Sequence, residues 1–175
     1  MSTISPKLAF TLCLLILVVI GCTKSEDKSS DVKTAEIANN KKIAVAVVHS
    51  SAVGLSETLK NIPDSATGVQ FIRTYIDSIR FYDDRSGYFY VYNYQCTNIA
   101  HATQKDLQGK NLLDYQDSRG NYVIRLLSAA AQQGGGFVEY YWIKPGAEGE
   151  KLKIGYVEPI KGTNYFIGSG VYIPE

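Results

Sequence analysis

Cysteine and histidine are scarce in this 175-residue chain: three cysteines (Cys13, Cys22, Cys96) and two histidines (His49, His101), with no C-x-x-C. Neither a Cys/His metal site nor a disulfide framework is expected. Charge of one sign is lacking too, with 18 basic against 17 acidic side chains and no basic run. A nucleic-acid partner, which needs clustered cations to displace counterions, is set aside. No apolar run is long enough to cross a bilayer as a helix, which takes about 18–20 residues. G-x-S-x-G is absent, and Gly134-Gly135-Gly136 ends an apolar periodic stretch instead of opening one, so no phosphate cradle is offered. Asp83-Asp84 and the pair Asp114 and Asp117 lack EF-hand spacing. The sequence therefore nominates no reaction, no metal and no cofactor. Aromatics are missing from the first third: of 13 Tyr, 6 Phe and 1 Trp, Phe10 alone precedes Phe71.

What the first segment does hold is an address. Residues 1–7 are polar with one lysine, and residues 8–20 are almost wholly apolar, the layout of a secretory h-region. Val19-Ile20-Gly21-Cys22 follows and resembles a bacterial lipobox, in which the cysteine is acylated and becomes the new N-terminus. The expected organisation is a lipoprotein signal peptide over 1–21, acylated Cys22 with a flexible hydrophilic spacer over 22–31, and one folded domain over 32–175. Acyl chains buried at about 0.8 kcal/mol per methylene would hold the protein stably at a bilayer. Thr23 rather than Asp after Cys22 favours the outer membrane of a diderm host. Cys96 would be the single unlipidated cysteine of the mature chain.

Residues 32–62 lack proline, and Ile37, Ala44, Val48, Ala52, Leu55, Leu59 and Ile62 recur at helical spacings; this predicts one long helix, capped by Asp31 and stopped by Pro63. A second helix is expected over 66–81, capped by Asp64 or Ser65. The period then switches to two. Tyr88, Tyr90, Tyr92 and Tyr94 alternate with Phe89, Val91 and Asn93, the pattern of a strand with two unlike faces. A strand over 97–102 would pair with it so that Tyr92 faces Ile99 and Tyr90 faces His101. A helix over 121–132 and strands over 137–144, 152–159 and 165–173 complete an α+β domain with a five-stranded antiparallel sheet.

Four pieces in order carry a family resemblance: Ser86-Gly87-Tyr88-Phe89-Tyr90-Val91-Tyr92-Asn93; Ile99-Ala100-His101 with Gly109-Lys110-Asn111-Leu112; Gly136-Phe137-Val138-Glu139-Tyr140-Tyr141-Trp142-Ile143-Lys144-Pro145-Gly146; and Lys153-Ile154-Gly155-Tyr156-Val157-Glu158-Pro159 leading into Phe166-Ile167-Gly168-Ser169-Gly170-Val171-Tyr172-Ile173. Together they resemble a single Cache domain of the second type, the PAS-like extracytoplasmic sensing module of chemoreceptors and sensor kinases. The resemblance implies a small-molecule binding or sensing protein without enzymatic activity, and a membrane receptor or kinase as partner.

The candidate ligand-binding set is Tyr88, Tyr90, Tyr92, His101, Tyr140, Trp142 and Lys144. Three tyrosines beside one histidine read as a polar-tipped aromatic pocket or as an amphipathic wall. Lys144, in line with Tyr140 and Trp142, is either the counter-charge for a short carboxylate or a solvated strand end. The alternative reading from another class is a ligand-free interaction or scaffold module that offers its long helix to a membrane partner.

Overall fold

A computed structural model describes residues 24–174, with side chains from residue 28 onward. The leader and Cys22 lie outside the described residues. Three helices, α1 (Lys24–Leu59), α2 (Ser65–Asp77) and α3 (Val123–Gln132), accompany five strands: β1 (Tyr90–Asn93), β2 (Asn98–His101), β3 (Gly136–Ile143), β4 (Glu150–Ile160) and β5 (Tyr165–Tyr172). The strands form the expected five-stranded antiparallel sheet, and its order is β2-β1-β5-β4-β3. Among the described residues no helix is long and apolar enough to cross a membrane.

α1 runs across β4 and β5 and buries the middle of its apolar stripe, Ala44, Val48, Ala52 and Leu55. It begins at Lys24, so the part of the expected flexible spacer that is described is helical. Val32 is 60% exposed and Ile37 is half-buried, because the stripe outruns the sheet beneath it. α2 is capped by Asp64, whose Oδ1 accepts from Thr67 N at 2.9 Å and whose Oδ2 accepts from Thr67 Oγ1 at 2.8 Å. It ends at Asp77, four residues before the expected limit, and Arg73 and Arg80 then tie it to the edge strand by donating to Ile99 O at 2.9 Å and Ala102 O at 2.8 Å.

The β1–β2 register brings Tyr90 opposite His101 as expected, but Tyr92 pairs with Asn98 and not with Ile99. A bulge leaves Ile99 unpaired between Val91's partner Ala100 and Asn98, and the extra residue corrects the simple hairpin count. Cys96, in the connecting turn, is buried as a free thiol with φ 65°.

Candidate functional site

Cross-strand partners share a face of a sheet, and the ladder places one set of side chains together: Tyr140 beside Lys153 beside Tyr172, Gly155 beside Gly170, and Val157 beside Gly168 beside Tyr90. Three glycines make the floor between the large rings. A Cβ on Gly168 would stand 2.5 Å from the Tyr90 ring and one on Gly155 2.7 Å from the Tyr140 ring, while one on Gly170 would meet the β4 backbone first, at 2.6 Å from Ile154 O, and then Lys153 Cε at 3.0 Å. The glycines of β4 and β5 are thus the space in which the aromatic and cationic groups lie.

Over this floor sits a small cavity of about 10 Å³, lined by Tyr88, Tyr90, Tyr92, His101, Tyr140, Trp142 and Lys153 on the strand side. Val123, Ile124 and Leu127 of α3 close the other side. Six of the seven expected residues therefore meet in one place.

Lys144 does not join them. β3 ends at Ile143, so the alternation that aligns Tyr140 with Trp142 stops one residue short of Lys144. Its ammonium turns outward to Asp84 Oδ2 at 2.8 Å, in a larger open groove bordered by α1 and the 82–86 loop. The cavity cation is Lys153, 1% exposed, with Nζ 4.0 Å from the Tyr88 ring centroid and 4.7 Å from that of Tyr172. A sequence signal for it exists: Lys153, Gly155 and Val157 share one parity of β4, and Leu152, Ile154 and Tyr156 the other. The lysine is the charged member of the inward set, but Lys151 has the same parity, and the strand's ends decide which of the two is covered.

The hydroxyl protons can be followed one by one. Tyr172 donates to Ile143 O at 2.7 Å, so Tyr88 is the donor in its 3.0 Å contact with Tyr172. Tyr140 donates to Tyr90 Oη at 3.2 Å, and Tyr90 donates to Ser169 O at 3.4 Å. Tyr92 Oη is buried with no partner among the described residues. His101 Nδ1 accepts from Gln104 N at 3.0 Å, which puts the imidazole proton on Nε2. Gln104, which sequence reasoning missed, also accepts from Trp142 Nε1 at 2.7 Å through its side chain and so fixes both rings.

Burial sets the charge state of every group here. Desolvation, followed by the fields of Lys153 and Arg80, pushes the His101 pKa down to about 3, so the ring is a neutral donor at ordinary pH. Desolvation lifts the Tyr88 phenol to about 12 and raises Tyr90, Tyr92 and Tyr140 further, leaving all of them protonated. Burial also holds Lys153 well below the usual lysine range. No carboxylate pairs with its ammonium among the described residues. The cavity thus combines hydrogen-bond donors, one unpaired amine and no negative group. Nothing in it resembles an activated nucleophile with its base, and no cluster of three metal-ligating side chains occurs among the described residues.

Comparison with known proteins agrees with this architecture. The chain is 32% identical over 145 residues to a sensor histidine kinase of Rhizobium johnstonii, a match covering 82% of this chain and 29% of that protein. It is 25% identical over 173 residues to a methyl-accepting chemotaxis protein of Pseudomonas putida, covering 96% and 31% respectively. The chain thus spans about a third of the length of these relatives. The crystal structure of a methyl-accepting chemotaxis protein from Vibrio parahaemolyticus superposes with a TM-score of 0.70 at 30% identity, covering 82% of this chain and 95% of that one. A Cache chemosensory domain described as recognising carboxylic acids shares the fold, with a TM-score of 0.63 at 23% identity over 86% of this chain and all of that one. The Cache domain sequence model matches residues 18–175, and with the sheet order and the aromatic cavity this places the chain in the Cache family of ligand-sensing domains.

Proposed function

We propose that this domain captures a small carboxylate in the aromatic cavity, with Lys153 as its counter-charge. The observation that carries the reading is Lys153, buried against the rings of Tyr88, Tyr90 and Tyr172 with no carboxylate paired to it among the described residues. A lone charge in a low-dielectric site is costly unless an opposite charge joins it, and a ligand carboxylate would supply that partner. His101 Nε2–H and the free Tyr92 hydroxyl would donate to the remaining lone pairs. The cavity as it stands offers about 10 Å³, room for about one water molecule, so entry of a ligand requires the surrounding rings or α3 to give way. Val123, Ile124 and Leu127 give it an apolar end, so the ligand suited to it has one carboxylate and only a few carbons. The same fold serves carboxylic acid recognition in the neighbour named above, which supports the reading.

The rest of the assignment follows the same line. Acylation at Cys22 would tether the domain to the extracytoplasmic face of a bilayer, the outer membrane being favoured by Thr23. A receptor or kinase in the envelope would read the bound state.

Calorimetric titration of the full chain in mild detergent with acetate, propionate, lactate and pyruvate tests the ligand class. Lys153→Met should weaken binding by about 1.5–3 kcal/mol, the worth of a charge-assisted hydrogen bond. Lys144→Met should leave affinity unchanged. Equal affinity in wild type and Lys153→Met would reject the carboxylate reading and favour a neutral solute held by the tyrosines.

A further inference from the structure

We infer that Tyr172 and the ion pair of Lys144 with Asp84 form a strut that carries the state of the aromatic cavity to α1, ending at the hydrogen bond from Tyr82 to Asn40. The inference rests on the cavity reading above and adds the route by which a change at Lys153 leaves it.

The Tyr172 ring is shared between two spaces. Its buried neighbour is Lys153, with Nζ 4.7 Å from the ring centroid, and its neighbour in the groove is Lys144, with Nζ 5.9 Å away. The Tyr172 hydroxyl accepts from Tyr88, which lines the cavity, and donates to Ile143 O, the carbonyl directly before Lys144. Tyr172 also lines the open groove that α1 borders. At 7% exposure it is too enclosed to change position without moving these partners.

Beyond Tyr172 every joint is polar. Lys144 Nζ donates to Asp84 Oδ2 at 2.8 Å, and Asp84 Oδ1 accepts from Ser86 N at 3.0 Å, so one carboxylate holds both the lysine and its own loop. That loop is stiff. Phe81 and Gly87 exchange backbone hydrogen bonds at 3.1 and 3.0 Å across its base, and a Cβ on Gly87 would stand 2.3 Å from the Phe81 ring. Tyr82 at φ 66° and Arg85 at φ 56° are left-handed without being glycine, conformations that persist only where the surroundings over-determine them. A stiff loop transmits a displacement instead of absorbing it. Tyr82 Oη then donates to Asn40 O at 3.1 Å, one turn before the buried stretch of α1 that opens at Ala44. Lys144, which the cavity does not use, and the strained loop thereby acquire one role.

The trigger is competition for Lys153. With the cavity empty its amine faces the rings of Tyr88, Tyr90 and Tyr172. A bound anion would draw it away, and Tyr172 would lose one of the groups that set its position.

A chain of contacts becomes a coupling only when a perturbation travels along it, so the strut is cut joint by joint and read by the amide resonances of the ¹⁵N-labelled full chain in mild detergent. Lys153→Met removes the cation without any ligand. It should shift the amides of Lys144 and Asp84 and, on α1, those of Lys41 and Ala44, which flank and share the Asn40 carbonyl. Adding Tyr82→Phe, which deletes one hydroxyl, should silence the α1 amides while Lys144 and Asp84 still respond. Adding Lys144→Met instead should silence Asp84 as well. Residues with a purely structural role would not produce that ordered loss. α1 has another tie at the same turn, Lys41 Nζ over the Phe137 ring at 4.6 Å, which neither cut touches; α1 shifts of equal size with and without the cuts would overturn the strut. Saturating sodium acetate on the unmutated chain gives a second arm that needs no variant to fold, and it should move the same α1 amides. Acetate that moves the amides around Lys153 but not those of α1 would overturn the strut and leave the carboxylate reading standing. α1 amides that follow Lys153→Met in a protein that binds no acetate would uphold the strut and count against the carboxylate reading.

Discussion

His101 shows how the burial of one ring sets acid stability. Its pKa in the folded protein is about 3, against about 6.5 in an unfolded chain. Between those values the unfolded state holds a proton that the folded state lacks, so stability falls as pH drops from about 6.5 toward 3. At pH 4.5 this group alone should cost about 2–3 kcal/mol. His101→Gln cannot charge and should keep more of its neutral-pH melting temperature at pH 4.5 than the wild type does; equal losses in the two proteins would place the acid sensitivity elsewhere. The same residue marks what the sequence could and could not disclose. Its place opposite Tyr90 follows from counting through the hairpin, and six of the seven expected pocket residues follow from strand alternation. Lys144 fails because alternation holds only while the strand lasts, and β3 stops at Ile143. Lys153 and Gln104 escaped notice for opposite reasons: one sits in a strand with a second lysine of the same parity, the other acts from a loop with no period at all.

At the scale of elements, the space for the site is made by what β4 and β5 leave out. Gly155, Gly168 and Gly170 lie under Tyr140, Tyr90 and Lys153, and a methyl group at Gly168 would stand 2.5 Å from the Tyr90 ring. Gly168→Ala must therefore move that ring or the strand, a strain of about 1–3 kcal/mol by comparison with other overpacked cores. The loss should shrink in a Tyr90→Leu background, where the ring is gone, and a double-mutant cycle on melting temperature measures the coupling. Additive losses would show that the glycine answers some other need. The elements themselves were legible from periodicity: helix, helix, two strands, helix, three strands. Their ends were not, because the sheet's extent decides where burial stops. α1 continues as a helix to Lys24 although residues 28–36 are exposed, and the Ile99 bulge has no glycine or proline to signal it.

For the whole molecule, the binding reading implies a conflict between stability and function centred on Lys153. Its amine is charged in the unfolded chain at neutral pH, and folding buries it with ring faces but no acid to offset the desolvation. With the folded pKa held below the unfolded value, stability rises with pH across the interval between the two and is reduced at every pH below it. Lys153→Met keeps most of the side-chain volume and removes that cost. Replacements of buried charges by apolar side chains of similar size gain about 1–4 kcal/mol where they gain at all, which for a domain of this size is a rise of several degrees in melting temperature. The wild type should recover comparable stability only with ligand, by about 2.7 kcal/mol at a hundred times the dissociation constant. Two melting curves of each protein, without and with saturating acetate, decide the matter. The expected pattern is a variant that melts higher than the empty wild type and ignores acetate, beside a wild type that acetate stabilises. A variant that melts lower than the empty wild type would mean that Lys153 already has a sufficient partner within the fold, and the argument for a ligand carboxylate would lose its foundation.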